Sequence, residues 1–180
     1  VDGLTWRDCL EDCEDALAYL LEHADEYDID ADNIGVIGYS AGAQLALMTS
    51  IETGGQVKYC VSLSGPTTFT MQRDSIYYTD TLNYYIELAF GYDIQLDIYK
   101  ASPVIRINRR CKSEFLLISG SKDEVVPAAH AELFRREVES FGLDIEVIIQ
   151  EGLTHSYPLY PDFAKLCDTI SEKVIAKLSD

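Results

Sequence analysis

Nowhere in the 180 residues does an apolar run approach the eighteen or so that a membrane-spanning helix needs, and the N-terminus lacks a signal-peptide pattern. Basic side chains are scarce: 14 Lys and Arg stand against 31 Asp and Glu, a formal charge of -17. A surface of that sign repels nucleic acid and anionic membranes and favours neutral or cationic ligands; its plainest effect is solubility. Repeats and low-complexity segments are missing too. The five cysteines, Cys9, Cys13, Cys60, Cys111 and Cys167, are odd in number and scattered, and nothing completes the Cys9–Cys13 spacing into a metal site. That usage makes the cytoplasm the expected compartment. Histidine is limited to His23, His130 and His155.

What remains fits one globular domain. Hydrophobic residues make up 47% and charged residues 25%, and the length suffices for one core and falls short of two. Residues 4–26 carry Leu10, Cys13, Leu17, Leu20, Leu21 and Ala24 at a helical period with one buried face. Asp28, Asp30 and Asp32 alternate as in a calcium loop, but the sixth and twelfth positions, which need Gly and Glu, hold Asn33 and Tyr39. A strand is expected over 33–39, a helix over 41–52, and a second strand over 57–64 closing on Ser64-Gly65-Pro66.

The stretch 67–100 is rich in aromatics and suggests two short helices, near 80–90 and 93–100. It reads equally as core packing and as the wall or lid of an acyl- or aryl-binding pocket. Ala101-Ser102-Pro103 breaks the chain before Arg106, Arg109, Arg110 and Lys112, cations expected to pair with neighbouring carboxylates. A strand over 114–120, a helix over 128–141, a strand over 144–150 and a helix over 161–178 complete the chain, the last with Phe163, Leu166, Ile170, Val174 and Leu178 on one side. Strands alternating with helices predict an α/β fold, with about four parallel strands flanked by helices.

The most telling segment is Gly38-Tyr39-Ser40-Ala41-Gly42, a G-x-S-x-G between an apolar strand and a helix. That setting predicts a strained strand-to-helix turn that lifts the serine hydroxyl above the sheet. The serine is expected near the αL region, with both glycines required by close backbone approach. The Ala41 amide, at a helix N-terminus, is free to donate to an oxyanion.

A serine hydroxyl needs a base within hydrogen-bond reach. His23 lies mid-helix and His130 in the first turn of a helix; only His155 occupies a loop after a strand. Asp123 follows the third strand and is the favoured acid partner, with Glu124 beside it as the alternative. Ser40, Asp123 and His155 each fall just past a strand's carboxyl end, where parallel sheets bind their ligands.

Four segments, Ile34-Gly-Val-Ile-Gly-Tyr-Ser-Ala-Gly42, Ser62-Leu-Ser-Gly-Pro66, Ile118-Ser-Gly-Ser-Lys-Asp-Glu-Val-Val-Pro127 and Glu151-Gly-Leu-Thr-His155, carry a family resemblance. In order and spacing they resemble the C-terminal part of an α/β-hydrolase. The nearest kinds are small carboxylesterases related to hormone-sensitive lipase, and prolyl-oligopeptidase-like hydrolases. The resemblance implies Ser40 as nucleophile, His155 as general base and acid, Asp123 as its partner and Ala41 as one oxyanion amide. It implies hydrolysis of a small carboxylic ester through an acyl-enzyme, with no metal or organic cofactor. Neutral acyl or aryl esters, acetylated sugars among them, are the leading substrates. A prolyl-oligopeptidase-like peptidase is the second reading. A catalytically impaired fragment serving as a binding or assembly module is the third.

Family members carry three or four strands before the helix that opens this sequence, and a loop, often His-Gly-Gly-Gly, that supplies the second oxyanion amide. Neither is found here. The expectation is an N-terminally truncated hydrolase whose strand at 33–39 has an open edge, covered by another chain, either a second copy or a complementing one.

Overall fold

Four parallel strands, hydrogen-bonded in the order β1-β2-β3-β4, carry every residue of interest at or just beyond their carboxyl ends. The computed structural model describes residues 5–69, 75–90, 95–157 and 163–179. The starts expected for the first helix at Leu4, the fifth-segment helix at 93 and the last helix at 161 lie outside them.

In chain order the elements are α1 (Trp6–Glu22), α2 (Ala24–Tyr27), β1 (Gly35–Tyr39), α3 (Ala41–Glu52), β2 (Tyr59–Leu63), α4 (Asp80–Phe90), α5 (Gln95–Lys100), α6 (Pro103–Arg106), β3 (Glu114–Gly120), α7 (Ala129–Ser140), β4 (Ile145–Gln150) and α8 (Phe163–Leu178).

The two central strands, β2 and β3, are buried on both faces, which is why they read as continuous apolar runs. Side chains alternate along each strand. Cys60, Phe115 and Leu117 pack with Leu47 and Ile51 of α3 and Phe134 and Val138 of α7. Val61, Leu63, Leu116 and Ile118 pack with Leu166 and Ile170 of α8 and with Tyr157. The apolar stripe read for α8 lies in that second cluster, with Phe163, Val174 and Leu178 at its margin. β1 differs: its residues alternate between exposed and partly buried, and Ile37 is 59% exposed. Among the described residues β1 pairs only with β2.

Three local expectations are corrected. The helix expected over 4–26 is interrupted at His23, whose Nδ1 donates to the Tyr19 carbonyl while its ring stacks on Tyr19 at 4.1 Å. Its buried face is narrower than the pattern suggested: Leu10, Leu17 and Ala24 are buried, Cys13 and Leu21 partly so, and Leu20 is exposed. Residues 103–106 form a helical turn, because Pro103 occupies its first position, where a missing N–H costs nothing. Of the basic group, Arg106 pairs with Glu52 at 2.5 Å, while Arg109, Arg110 and Lys112 are exposed.

Side-chain bonds tie the helical segment to the sheet. Gln44 of α3 donates to the Ala101 carbonyl at 2.8 Å, and Ser102 Oγ accepts from the Phe69 amide at 2.8 Å. The Thr79 hydroxyl donates to the Val125 carbonyl at 2.8 Å and accepts from the Leu82 amide, anchoring the start of α4 beside the loop after β3. Fully buried His130 accepts the Thr67 amide at Nδ1 (3.0 Å) and donates from Nε2 to the Tyr77 carbonyl (2.7 Å). Both ring nitrogens are thereby engaged, so this histidine holds three segments together.

Candidate active site

Ser40 stands between β1 and α3 at φ 54° and ψ -120°, a positive φ that side chains rarely adopt. The φ matches the sequence expectation; the ψ takes the residue out of αL. The turn is fixed from both sides. The Ser40 amide donates to the Leu63 carbonyl of β2 at 2.9 Å, and the Ser40 carbonyl accepts from the Ala43 and Gln44 amides. Gly38 is required sterically, since a Cβ there would meet the Gly42 carbonyl oxygen at 2.1 Å. Gly42 is not: a Cβ on it would meet nothing within 4 Å, which corrects the expectation that both glycines serve close approach. Ala41 opens α3, so its amide belongs to the first turn, where N–H groups have no partner within the helix.

Asp123 lies in the turn after β3. Its Oδ1 accepts from the Val125 amide at 3.0 Å and the Val126 amide at 2.8 Å, a closed local turn that orients the carboxylate. Its side chain is wholly buried. Burial favours the neutral form, but hydrogen bonding from His155, then Ser64 and Val126, outweighs it and holds the carboxyl below its usual range.

His155 follows β4 in the loop that starts at Glu151. Close contact brings that loop to β3: a Cβ on Gly120 would fall 2.1 Å from the Leu153 carbonyl oxygen, and the Lys122 amide donates to that oxygen at 3.0 Å. The imidazole then bridges the two other residues. Its Nδ1 lies 3.0 Å from both Asp123 carboxylate oxygens, and its Nε2 lies 3.0 Å from Ser40 Oγ. With Nδ1 donating to the buried carboxylate, Nε2 is the acceptor facing the serine. Ser40, Asp123 and His155, from three separate strand ends, therefore form one hydrogen-bonded row, while His23 and His130 are committed elsewhere.

Glu124, the alternative acid, does not reach the imidazole; its Oε2 accepts the His155 backbone amide at 3.1 Å. Tyr39 was not expected at the site. Its hydroxyl donates to the His155 carbonyl at 2.6 Å and its ring lies 5.2 Å from the imidazole, centroid to centroid.

The row opens on a cavity of about 700 Å³. Pro66, Phe69, Leu82, Tyr85, Ile86, Leu88, Phe90 and Val126 line it, together with Trp6 and Cys9 from the start of α1. The aromatic segment both packs in the core and borders this cavity: Phe69 and Leu82 are also buried core residues, while Tyr85 and Leu88 are largely exposed where they line it. No Asp, Glu, Lys or Arg is among the described lining residues. The contribution of α1 was invisible in the sequence, since only the folded chain brings Trp6 beside the loop after β2.

Comparison with known proteins fixes the family. The sequence model of the BD-FAE family matches residues 2–138, well over half of the chain. The chain belongs to the BD-FAE family. Within the curated proteins it is similar to the uncharacterized peptidase YtmA of Bacillus subtilis, at 24% identity over 82% of this chain; it spans 57% of that relative's length. Among solved structures it superposes on a sugar hydrolase from Lactococcus lactis with a TM-score of 0.80, at 14% identity over 99% of this chain and 72% of that one. A bifunctional acetyl ester-xyloside hydrolase from Caldicellulosiruptor lactoaceticus gives a TM-score of 0.75 at 19% identity, over 97% and 68% of the two chains. The superpositions show the α/β-hydrolase fold, and BD-FAE membership puts the chain among α/β-hydrolases of the esterase and peptidase kind. As in the sequence, no helix among the described residues is long and apolar enough to cross a membrane.

Proposed function

We propose that this BD-FAE member is a serine hydrolase that cleaves small carboxylic esters through an acyl-enzyme. The observation that carries the reading is the row in which Ser40 Oγ lies 3.0 Å from His155 Nε2 and Asp123 lies 3.0 Å from His155 Nδ1, facing a largely apolar cavity with no Asp, Glu, Lys or Arg among its described lining residues.

In this reading Ser40 Oγ attacks the ester carbonyl as its proton passes to His155 Nε2. Asp123 holds the tautomer and stabilises the imidazolium, and the Ala41 amide donates to the developing oxyanion. His155 then returns the proton to the leaving alkoxide, which departs as the alcohol. Water deprotonated by His155 attacks the acyl group on Ser40, and collapse of the second tetrahedral species releases the acid and restores the hydroxyl. No metal or organic cofactor enters the scheme.

A peptidase of the prolyl-oligopeptidase type is the competing reading, supported by the similarity to a Bacillus subtilis protein described as a peptidase. The lack of a carboxylate among the described cavity-lining residues argues for neutral esters over a substrate bound by its ammonium group. Assay of p-nitrophenyl acetate against aminoacyl-proline nitroanilides separates the two. A fluorophosphonate probe tests the nucleophile: labelling at Ser40 that disappears in Ser40→Ala supports it. No labelling of the folded chain would instead favour the impaired, binding-module reading.

A further inference from the structure

The loop that bears His155 has little regular structure of its own: beyond the end of β4 it is a succession of turns. Yet the residue is gripped at both of its peptide groups by side chains from two other strand ends. Its carbonyl accepts the Tyr39 hydroxyl at 2.6 Å, and its amide donates to Glu124 Oε2 at 3.1 Å. Tyr39 comes from the last position of β1, directly before Ser40; Glu124 directly follows Asp123. Each neighbour of the imidazole in the row is therefore adjacent in sequence to a residue that binds the His155 main chain. The Tyr39 ring adds a face against the imidazole at 5.2 Å and meets Tyr157, the next aromatic beyond His155, edge-on at 6.0 Å.

We infer that Tyr39 and Glu124 are positioning residues, a two-sided backbone clamp that sets the His155 imidazole between Asp123 and Ser40. The inference rests on the serine-hydrolase reading for its kinetic consequence and on geometry alone for its structural one.

The chemistry needs such a clamp. A general base misplaced by about an ångström loses on the order of a hundredfold in rate, and a loop without ladder bonds cannot hold that tolerance unaided. Because both bonds are made to the main chain, the imidazole's own nitrogens are left for Asp123 and Ser40. Tyr39 also suits the task chemically: burial, then the charges of Asp123 and Glu124, raise its pKa, so it stays a donor across the working range. Neither residue reaches the reacting atoms in the row, and neither is assigned a proton transfer.

The test uses the full chain with Tyr39→Phe, Glu124→Ala and Glu124→Gln. Tyr39→Phe keeps the ring and deletes only the hydroxyl; Glu124→Gln keeps an acceptor oxygen. Two readouts are taken: kcat and KM on p-nitrophenyl acetate, and the low-field proton NMR resonance of the His155 Nδ1–H bonded to Asp123. The clamp predicts that Tyr39→Phe and Glu124→Ala each lower kcat about tenfold with KM within about twofold. It also predicts that the resonance broadens through faster exchange with water, and that Glu124→Gln recovers most of both effects. Melting curves close to the parent's show that folding is intact. An unchanged resonance in Tyr39→Phe and Glu124→Ala overturns the inference, whatever happens to turnover. A parent chain with no turnover counts against the hydrolase reading, and the resonance still decides the clamp.

Discussion

A Cβ on Gly38 would lie 2.1 Å from the carbonyl oxygen of Gly42 and 2.6 Å from the amide nitrogen of Ala43, so the strand and the helix of the elbow touch backbone to backbone. The converse substitution meets open space. Gly38→Ala is expected to destabilise the protein by about 3 kcal/mol or more, through overpacking against an atom that cannot move aside. Gly42→Ala is expected to be neutral or stabilising by up to about 1 kcal/mol, because it replaces a glycine within α3. Urea midpoints of the two variants, measured side by side, check the asymmetry; equal losses would contradict it.

Ser40 stores strain at its positive φ. A residue held in such a region costs on the order of 1–3 kcal/mol, which glycine does not incur. Ser40→Gly is therefore expected to gain about 1 kcal/mol in stability while losing all fluorophosphonate labelling. A lower urea midpoint than the parent's would show that the elbow is not strained.

Asp123→Asn keeps a carbonyl oxygen for the Val125 and Val126 amides but presents an amide to Nδ1 of His155. The turn should survive and the imidazole should adopt the wrong tautomer. Loss of kcat by about a thousandfold or more, with circular dichroism unchanged, is the expected result. A loss below about tenfold would remove Asp123 from its assigned role.

Two buried groups make stability fall in acid, in different windows. Burial holds His130 at about 4, against an ordinary 6.5, despite the opposing Tyr77 carbonyl and Asp123 charge. The unfolded chain protonates this residue first, so stability declines as pH drops from about 6.5 to about 4, by a total of about 3 kcal/mol. Asp123, held below the usual carboxylate range, contributes stability present above its unfolded value, which is lost as pH falls through its lower folded value. Urea unfolding at intervals from pH 7 to pH 4 checks the first window. His130→Gln should be less stable at pH 7 and show a shallower slope; an equal slope would exclude His130 as the cause.

The outer edge of β1 carries backbone groups that no described strand pairs, beside the exposed Ile37. We propose that another chain, a second copy or a complementing one, pairs with that edge, since such edges recruit extended segments. Light scattering on the purified chain should report a dimer or larger, and Ile37→Lys should shift it toward monomer. A monodisperse monomer whose β1 amides exchange freely would count against pairing.

Much of this architecture was legible because the signals were local. The run Ile34 to Tyr39 against the alanine- and leucine-rich run after Ser40 marked β1 and α3, and the apolar blocks before Gly120 and Gln150 marked β3 and β4. Ser40, Asp123 and His155 could be chosen because each follows such a block. What escaped was decided by approach across the fold. Pro103 reads as a break in the sequence, yet it holds the first position of α6. Glu124 could be read as an acid but not as a main-chain acceptor, because its partner lies 31 residues away. The hydroxyl of Tyr39 reaches across 116 residues to its acceptor, a distance at which no periodicity carries information.

The strand order β1-β2-β3-β4 follows the order of synthesis, so each strand can dock on its predecessor as it appears. Ser40 and His155, however, are 115 residues apart, with the base carried beyond the last strand. At translation rates of roughly 5–20 residues per second, the serine leaves the ribosome about 6–23 s before the histidine that hydrogen-bonds it. Throughout that interval the nascent chain holds the Ser40 hydroxyl without its imidazole partner; on the serine-hydrolase reading proposed above, reactivity would arise only once the C-terminal portion has folded onto the sheet.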